Sequence, residues 1–151
     1  MGSGYDWLKL GHVLGVIVWL GGSLTLTVLG SMLARADDPT VLKAFNKQAS
    51  FYGPVVVGPA SLLTLLTGLG LAGIGGFFRS PFVHIGFLGI VIHFIFGPVL
   101  MRRSALRIDA ILSAPQLDKA ALRQASGRLT LLSLIYLTVM LVVVVTMVLK
   151  I

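Results

Sequence analysis

Three histidines are the side chains of this sequence best suited to bind a transition metal, because its 151 residues include no cysteine. His12 lies in the first apolar segment, and His84 and His93 lie in the third. Neutral imidazole binds heme iron, copper and zinc through a ring nitrogen. Without cysteine, the chain has no disulfide, thiolate metal site or thiol nucleophile. Its metal chemistry therefore depends on histidine.

The spacing of the histidines favours a heme held between two helices. His84 and His93 are nine residues apart, so on a helix they point in opposite directions and lie about 13 Å apart along the axis. His12 lies about two residues into its segment and His84 about two into its own, which predicts nearly equal depth. A planar porphyrin needs ligands at similar height on facing helices. We therefore expect His12 and His84 to bind heme b, with the cations Lys9 and Arg79 near its propionates.

The small residues of the third segment favour a different histidine. His93 shares its helix face with three glycines, Gly86, Gly89 and Gly97, whereas His84 shares its face with Leu88, Val91 and Ile95. Glycine faces allow close helix packing. If this face turns inward, His93 is buried and His84 points toward lipid or another protomer. His93 is therefore kept as a reserve ligand.

The composition predicts that lipid surrounds these segments. Hydrophobic residues make up 56% of the chain and charged residues 11%, which is too little polar surface for a soluble domain of this size. Four apolar runs cover about 10–33, 55–74, 82–101 and 129–149. Each is long enough to cross a hydrocarbon core of roughly 30 Å. We expect one transmembrane domain over residues 1–151, folded as an all-α four-helix bundle.

The distribution of lysine and arginine predicts the orientation of this bundle. Three of the twelve lie in the first connection, Arg35, Lys43 and Lys47, and six lie in the third, Arg102, Arg103, Arg107, Lys119, Arg123 and Arg128. Basic connections stay on the cytoplasmic side. Both termini are thus expected outside a bacterial inner membrane. Because the cations flank apolar spans, the net charge of +7 does not indicate nucleic acid.

The connections also carry structural signals. Residues 34–51 contain a capping motif followed by an amphipathic stretch, which predicts a short helix lying along the membrane surface. Residues 102–128 are rich in Ala, Leu and Arg and could extend the third and fourth helices into the cytoplasm. In the second segment, Gly53-Pro54 and Gly58-Pro59 predict kinks.

Short motifs follow one another along the four segments: His12 to Trp19 to Gly22, then Pro59-Ala60 with Gly68, then Pro81-Phe82-Val83-His84, then Arg128 before a valine-rich end. In this order they resemble the HemJ-type protoporphyrinogen oxidases and the related copper-resistance protein D-like membrane proteins. The resemblance spans most of the chain. It implies a four-helix membrane protein, often oligomeric, that binds heme b through His12 and His84.

The chain departs from this pattern where the oxidases place further polar residues. They have a Lys shortly after the third-helix His, where this chain has Gly86, and an acidic residue and Pro where it has Leu132 and Leu134. Heme binding is therefore the implied property, and enzymatic activity stays open.

The sequence leaves three functions open: a heme b protein that exchanges electrons with a redox partner, a copper-handling protein, or a structural membrane subunit. Copper handling usually needs several Met or His along a path, and only five Met are present.

Overall fold

The computed structural model describes residues 3–36 and 38–150, and nearly all of them are helical. Its α-helices are α1 Gly4–Arg35, α2 Pro39–Tyr52, α3 Gly58–Gly75, α4 Pro81–Ile95, α5 Arg102–Leu112 and α6 Lys119–Leu149. Two π-helical segments, Gly53–Val57 and Phe96–Met101, join α2 to α3 and α4 to α5, and a 3-10 turn, Phe77–Arg79, precedes α4. The predicted all-α four-helix bundle is confirmed.

Four continuous helical rods are long and apolar enough to cross a membrane. They are Gly4–Arg35, Pro39–Gly75, Pro81–Leu112 and Lys119–Leu149, with 32, 37, 32 and 31 residues. At about 1.5 Å per residue the rods are about 46 to 56 Å long, whereas the hydrocarbon core is roughly 30 Å thick. The chain is thus a multi-pass membrane protein whose rods extend beyond the apolar layer.

Local capping signals define where the rods begin and turn. Ser3 and Asp6 form a capping box at the start of α1, with the Ser3 amide donating to Asp6 Oδ2 at 2.7 Å. Asp38 and Asp118 cap α2 and α6 by accepting hydrogen bonds from amides of the first turn. Gly76 adopts a φ of 68°, a left-handed conformation that glycine tolerates, and the chain reverses there into α4.

The glycine-proline pairs lie in or beside the π-helical segments. Pro54 falls in Gly53–Val57, Pro59 follows at the start of α3, and Pro98 falls in Phe96–Met101. Proline has no amide hydrogen and its ring crowds the carbonyl four residues earlier, so a widened turn relieves the clash. The helical backbone therefore continues through the sites where the sequence predicts kinks.

Helix α2 continues through Gly53–Val57 into α3 as one rod, Pro39–Gly75, so the expectation of a separate helix lying along the membrane surface is wrong. Leu42 and Asn46, four residues apart, are both buried, and Asn46 Nδ2 donates to the Ala105 carbonyl of α5 at 3.1 Å. On the α1 side, the Phe45 ring lies so close to Gly30 that a Cβ there would be 3.1 Å from it. The amphipathic face of α2 is covered by protein. As expected, α5 and the start of α6 prolong the third and fourth rods.

The rods pack around a core in which α1 lies between α3 and α6, and α6 lies between α1 and α4. The core residues are Trp19, Val57, Ala60, Ile90, Tyr136 and Met140. Leu8 of α1 packs on Gly70 of α3, and Lys150 Nζ lies 5.6 Å from the centre of the Phe77 ring. Both described chain ends therefore lie at the same end of the bundle as the 3-10 turn, here called the terminal end. The side of the membrane that it faces stays a prediction.

Candidate histidine sites

His12 is held against α3 in one defined tautomer. Its Nδ1 lies 2.9 Å from the main-chain carbonyl oxygen of Thr64. Because a carbonyl only accepts, Nδ1 carries the proton and donates, and Nε2 keeps its lone pair. Metal-binding imidazoles have the same arrangement, with one ring nitrogen donating to a carbonyl or carboxylate. His12 is partly buried, so its ring is both oriented and accessible.

Three residues on one face of α3 surround the His12 ring. The Thr67 hydroxyl lies 3.4 Å from His12 Nδ1 and donates to the Leu63 carbonyl at 2.6 Å. Gly68 leaves room for the ring, since a Cβ there would be 3.0 Å from His12 Cε1. Thr64, Thr67 and Gly68 follow the three- and four-residue spacing of one helix face. That spacing was readable in the sequence, but nothing in it indicated that the face meets α1.

His84 is exposed in the first turn of α4. Its Nδ1 donates to the Ser80 carbonyl at 3.1 Å, so Nε2 again keeps its lone pair. The contact stays within its own helix and does not involve α1. The chemistry of this imidazole suits metal binding, but its ring lies outside the core.

His12 and His84 lie on helices that are not neighbours in the bundle. Helix α1 lies between α3 and α6, whereas α4 packs mainly on α6. The His12 ring faces α3, and His84 is exposed at the start of α4. The nearly equal depth of the two residues stays a prediction. The structure does not bring the two rings together.

His93 is buried in a hydrogen-bonded network that joins three helices. Its Nδ1 lies 2.7 Å from Tyr136 Oη of α6, and the Trp19 indole of α1 donates to the same oxygen at 2.9 Å. The Trp19 and His93 rings meet edge to face with centroids 4.7 Å apart. The tyrosine hydroxyl can donate to Nδ1 or accept from it, so the contact holds in either tautomer. His93 is 9% exposed, in keeping with a residue of the core.

The glycine face of α4 determines which histidine is buried. A Cβ at Gly86 would be 3.0 Å from Met147 Sδ, and a Cβ at Gly89 would be 3.0 Å from Val143, so α6 packs on this face. His93 turns inward with the glycines, and His84 turns outward. Of the two orientations that the sequence left open, the one set by glycine packing is observed.

Lys9, Arg79 and a groove between α4 and α6 are the other features that bear on a cofactor site. Lys9 and Arg79 are both exposed at the terminal end, Lys9 three residues before His12 and Arg79 in the 3-10 turn. A groove of about 210 Å³ between α4 and α6 is lined by aliphatic residues around Gly89, and none of the three histidines borders it. Within residues 3–36 and 38–150, no three His, Asp or Glu side chains cluster as a metal site.

Comparison of the chain with protein-family models, curated proteins and solved structures gives no match. The likeness to HemJ-type proteins therefore stays a resemblance between short motifs. What the protein does has to be argued from the imidazoles and their contacts.

Proposed function

We propose that this protein binds heme b in the membrane through His12 and has a redox or electron-transfer role. The observation that carries the proposal is the 2.9 Å contact from His12 Nδ1 to the Thr64 carbonyl, which leaves Nε2 as a lone-pair donor. A histidine inside an apolar helix is costly unless it faces a partner or a ligand. His12 has its partner on one ring nitrogen and an open position on the other.

The surroundings of His12 fit an axial ligand. Thr64 and Gly68 orient the ring from α3, so its direction does not depend on the iron. Lys9 lies one helical turn nearer the terminal end, where its ammonium group, with the guanidinium of Arg79, could pair with heme propionates. Bound there, heme would supply one-electron redox chemistry, and the residues of this chain would set its height and orientation.

His84 is the better supported second ligand on chemical grounds. Its Nδ1 donates to Ser80 and its Nε2 keeps a lone pair at the surface, whereas His93 is 9% exposed and lies within the core. Against His84 stands its place in the bundle, because α4 packs mainly on α6 and not on α1. We therefore propose His84 as the second ligand, from the same chain or from another protomer of a homo-oligomer. A redox partner and a bacterial inner membrane belong to the same proposal.

The test is the absorption spectrum of detergent-purified protein expressed with ample heme. A Soret band with low-spin α and β bands is expected. His12→Ala should abolish heme retention, and His84→Ala should give a five-coordinate high-spin spectrum. His93→Ala serves as the matched control, because it removes an imidazole from the same helix as His84 and should leave the bands in place.

Two outcomes would contradict the proposal in different ways. Wild-type protein without Soret absorbance would remove heme binding altogether, and a stoichiometric copper content in that sample would point to copper handling instead. A low-spin signal lost only in His93→Ala would keep the heme but replace His84 by His93 as second ligand.

A further inference from the structure

Most of the positive charge of the chain gathers at the end of the bundle opposite the terminal end. This basic end carries nine of the twelve cations, Arg35 on α1, Lys43 and Lys47 on α2, Arg102, Arg103 and Arg107 on α5, and Lys119, Arg123 and Arg128 on α6. The packing of α2 on α5 and of α5 on α6 brings two separate connections together there. The sequence distributes these charges over almost a hundred residues, and the fold makes them one surface.

The connections that carry these cations have few carboxylates, and two of the carboxylates cap helices. Four aspartates belong to the same connections, Asp37, Asp38, Asp109 and Asp118. Asp38 and Asp118 are used as helix caps, accepting from the amides of Thr40 and Ala121, each at 2.9 Å. Among the described residues, no ion pair joins the arginines of this end to a carboxylate. The guanidinium groups are therefore available to an anion from outside the chain.

Large apolar side chains lie exposed among these cations. Leu106 is 58% exposed on α5, Leu131 is 58% exposed on α6, and Phe51 is 65% exposed at the end of α2. Arg103 and Arg107 flank Leu106 within one helical turn, and Arg128 lies three residues before Leu131. Long cationic side chains beside apolar ones are typical of the zone where acyl chains meet headgroups. An acidic soluble protein would leave these apolar groups in water.

We propose that the basic end binds anionic phospholipid headgroups in preference to zwitterionic ones. The guanidinium groups would pair with lipid phosphates while Leu106, Leu131 and Phe51 contact the acyl region. Because the rods are about 16 Å or more longer than the hydrocarbon core is thick, their ends reach beyond it to the depth of the headgroups. This surface is independent of heme and of the histidines.

The test measures lipid selectivity at the protein surface. The protein is reconstituted in phosphatidylcholine bilayers with spin-labelled phosphatidylglycerol or spin-labelled phosphatidylcholine, and the motionally restricted fraction is read by electron paramagnetic resonance. We expect a several-fold preference for phosphatidylglycerol at low salt. It should fall toward unity at high salt, as the screening length shrinks from about 30 Å at 0.01 M to about 3 Å at 1 M.

Matched variants separate local charge from net charge. The triple variant R102Q/R103Q/R107Q should lose most of the preference, and it keeps six cations at the basic end. The control triple K9Q/R79Q/K150Q removes the same charge from the terminal end and should keep the preference. The pair R123Q/R128Q on α6 tests the same surface if the α5 triple fails to fold.

Three results would overturn the inference. Equal restriction of both spin-labelled lipids would mean that the surface does not select by charge. An equal loss in both triple variants would assign the effect to net charge alone. Displacement of spin-labelled phosphatidylglycerol by an equal concentration of inorganic phosphate would identify a site for free phosphate and not for lipid.

Discussion

Replacing Tyr136 by Phe removes a single oxygen atom on which two interhelical hydrogen bonds converge. Tyr136 Oη accepts from the Trp19 indole at 2.9 Å and contacts His93 Nδ1 at 2.7 Å. All three side chains are buried, with Trp19 5%, Tyr136 6% and His93 9% exposed. Phenylalanine fills nearly the same space, so the change isolates the hydrogen bonds from the packing.

The expected loss in the free energy of unfolding follows from the number of hydrogen bonds removed and from their surroundings. Interhelical hydrogen bonds in membrane proteins contribute about 0.6 kcal/mol on average and up to about 1.7 kcal/mol. Two such bonds therefore predict a decrease of about 1 to 3 kcal/mol in the free energy of unfolding. The same range applies to leaving buried polar groups unsatisfied, about 1 to 3 kcal/mol each in soluble proteins. We expect the upper half of this range, because the variant leaves both the indole N–H and His93 Nδ1 without their partner.

The free energy of unfolding can be measured in mixed micelles by titration with sodium dodecyl sulfate, with helix content as the readout. Tyr52→Phe is the matched control, since the Tyr52 hydroxyl packs near Gly22 and makes no hydrogen bond within the described residues. That control should change stability by less than about 0.5 kcal/mol. A double-mutant cycle with Trp19→Phe should show coupling, because both changes remove the same bond.

The reasoning would be refuted if Tyr136→Phe were as stable as Tyr52→Phe. Strict additivity of Trp19→Phe and Tyr136→Phe would refute it as well, since residues joined by a hydrogen bond should couple. Either result would mean that the aromatic cluster is held by packing alone.

Three further predictions test the helix contacts and the orientation. Gly68→Ala should displace the His12 ring, because the new methyl would lie 3.0 Å from His12 Cε1, and heme retention should fall as measured by Soret absorbance. Gly15→Ala should lower the free energy of unfolding by about 1 to 3 kcal/mol, because its Cβ would be 2.5 Å from the Thr64 hydroxyl of α3. Gly21→Ala is the control, since a Cβ there meets nothing within 4 Å and should leave stability unchanged or raise it. A cysteine at Ala120 should resist an impermeant thiol reagent applied to intact cells, and its labelling from outside would reverse the predicted topology.

The overall architecture could be predicted because lipid imposes strong rules on sequence. Four apolar runs of sufficient length predict four crossings, and backbone groups in hydrocarbon must be satisfied within helices. The ends of the rods could not be predicted from hydropathy. Capping and composition indicated helix in Pro39–Tyr52 and Arg102–Leu112, but not that these helices pack on each other, as they do through Asn46 and the Ala105 carbonyl. Hydropathy predicts the part of a rod that lies in the membrane, but it does not predict where the rod ends.

The candidate site was only partly predictable because helix rotation and height depend on neighbours. Periodicity placed His84 and His93 on opposite faces, as observed, but the inward face is selected by Met147 and Val143 on α6, far away in sequence. Tyr136 lies four residues before Met140 in the fourth segment, on the same helix face. Its hydrogen bonds to Trp19 and His93 depend on how α1, α4 and α6 pack together, and no local sequence pattern predicts that packing.

His93 and His12 differ in the helices that they contact. His93 is engaged at Nδ1 by a side chain that Trp19 also binds, so its contacts join α1, α4 and α6 to one another. His12 is engaged only by α3, through a main-chain carbonyl that no substitution of Thr64 removes, and its Nε2 keeps a lone pair. A ligand at His12 can therefore bind or leave without disturbing the network around Tyr136. This separation is why His12→Ala should remove heme while leaving the bundle folded, and why His93→Ala should lower stability while leaving heme in place.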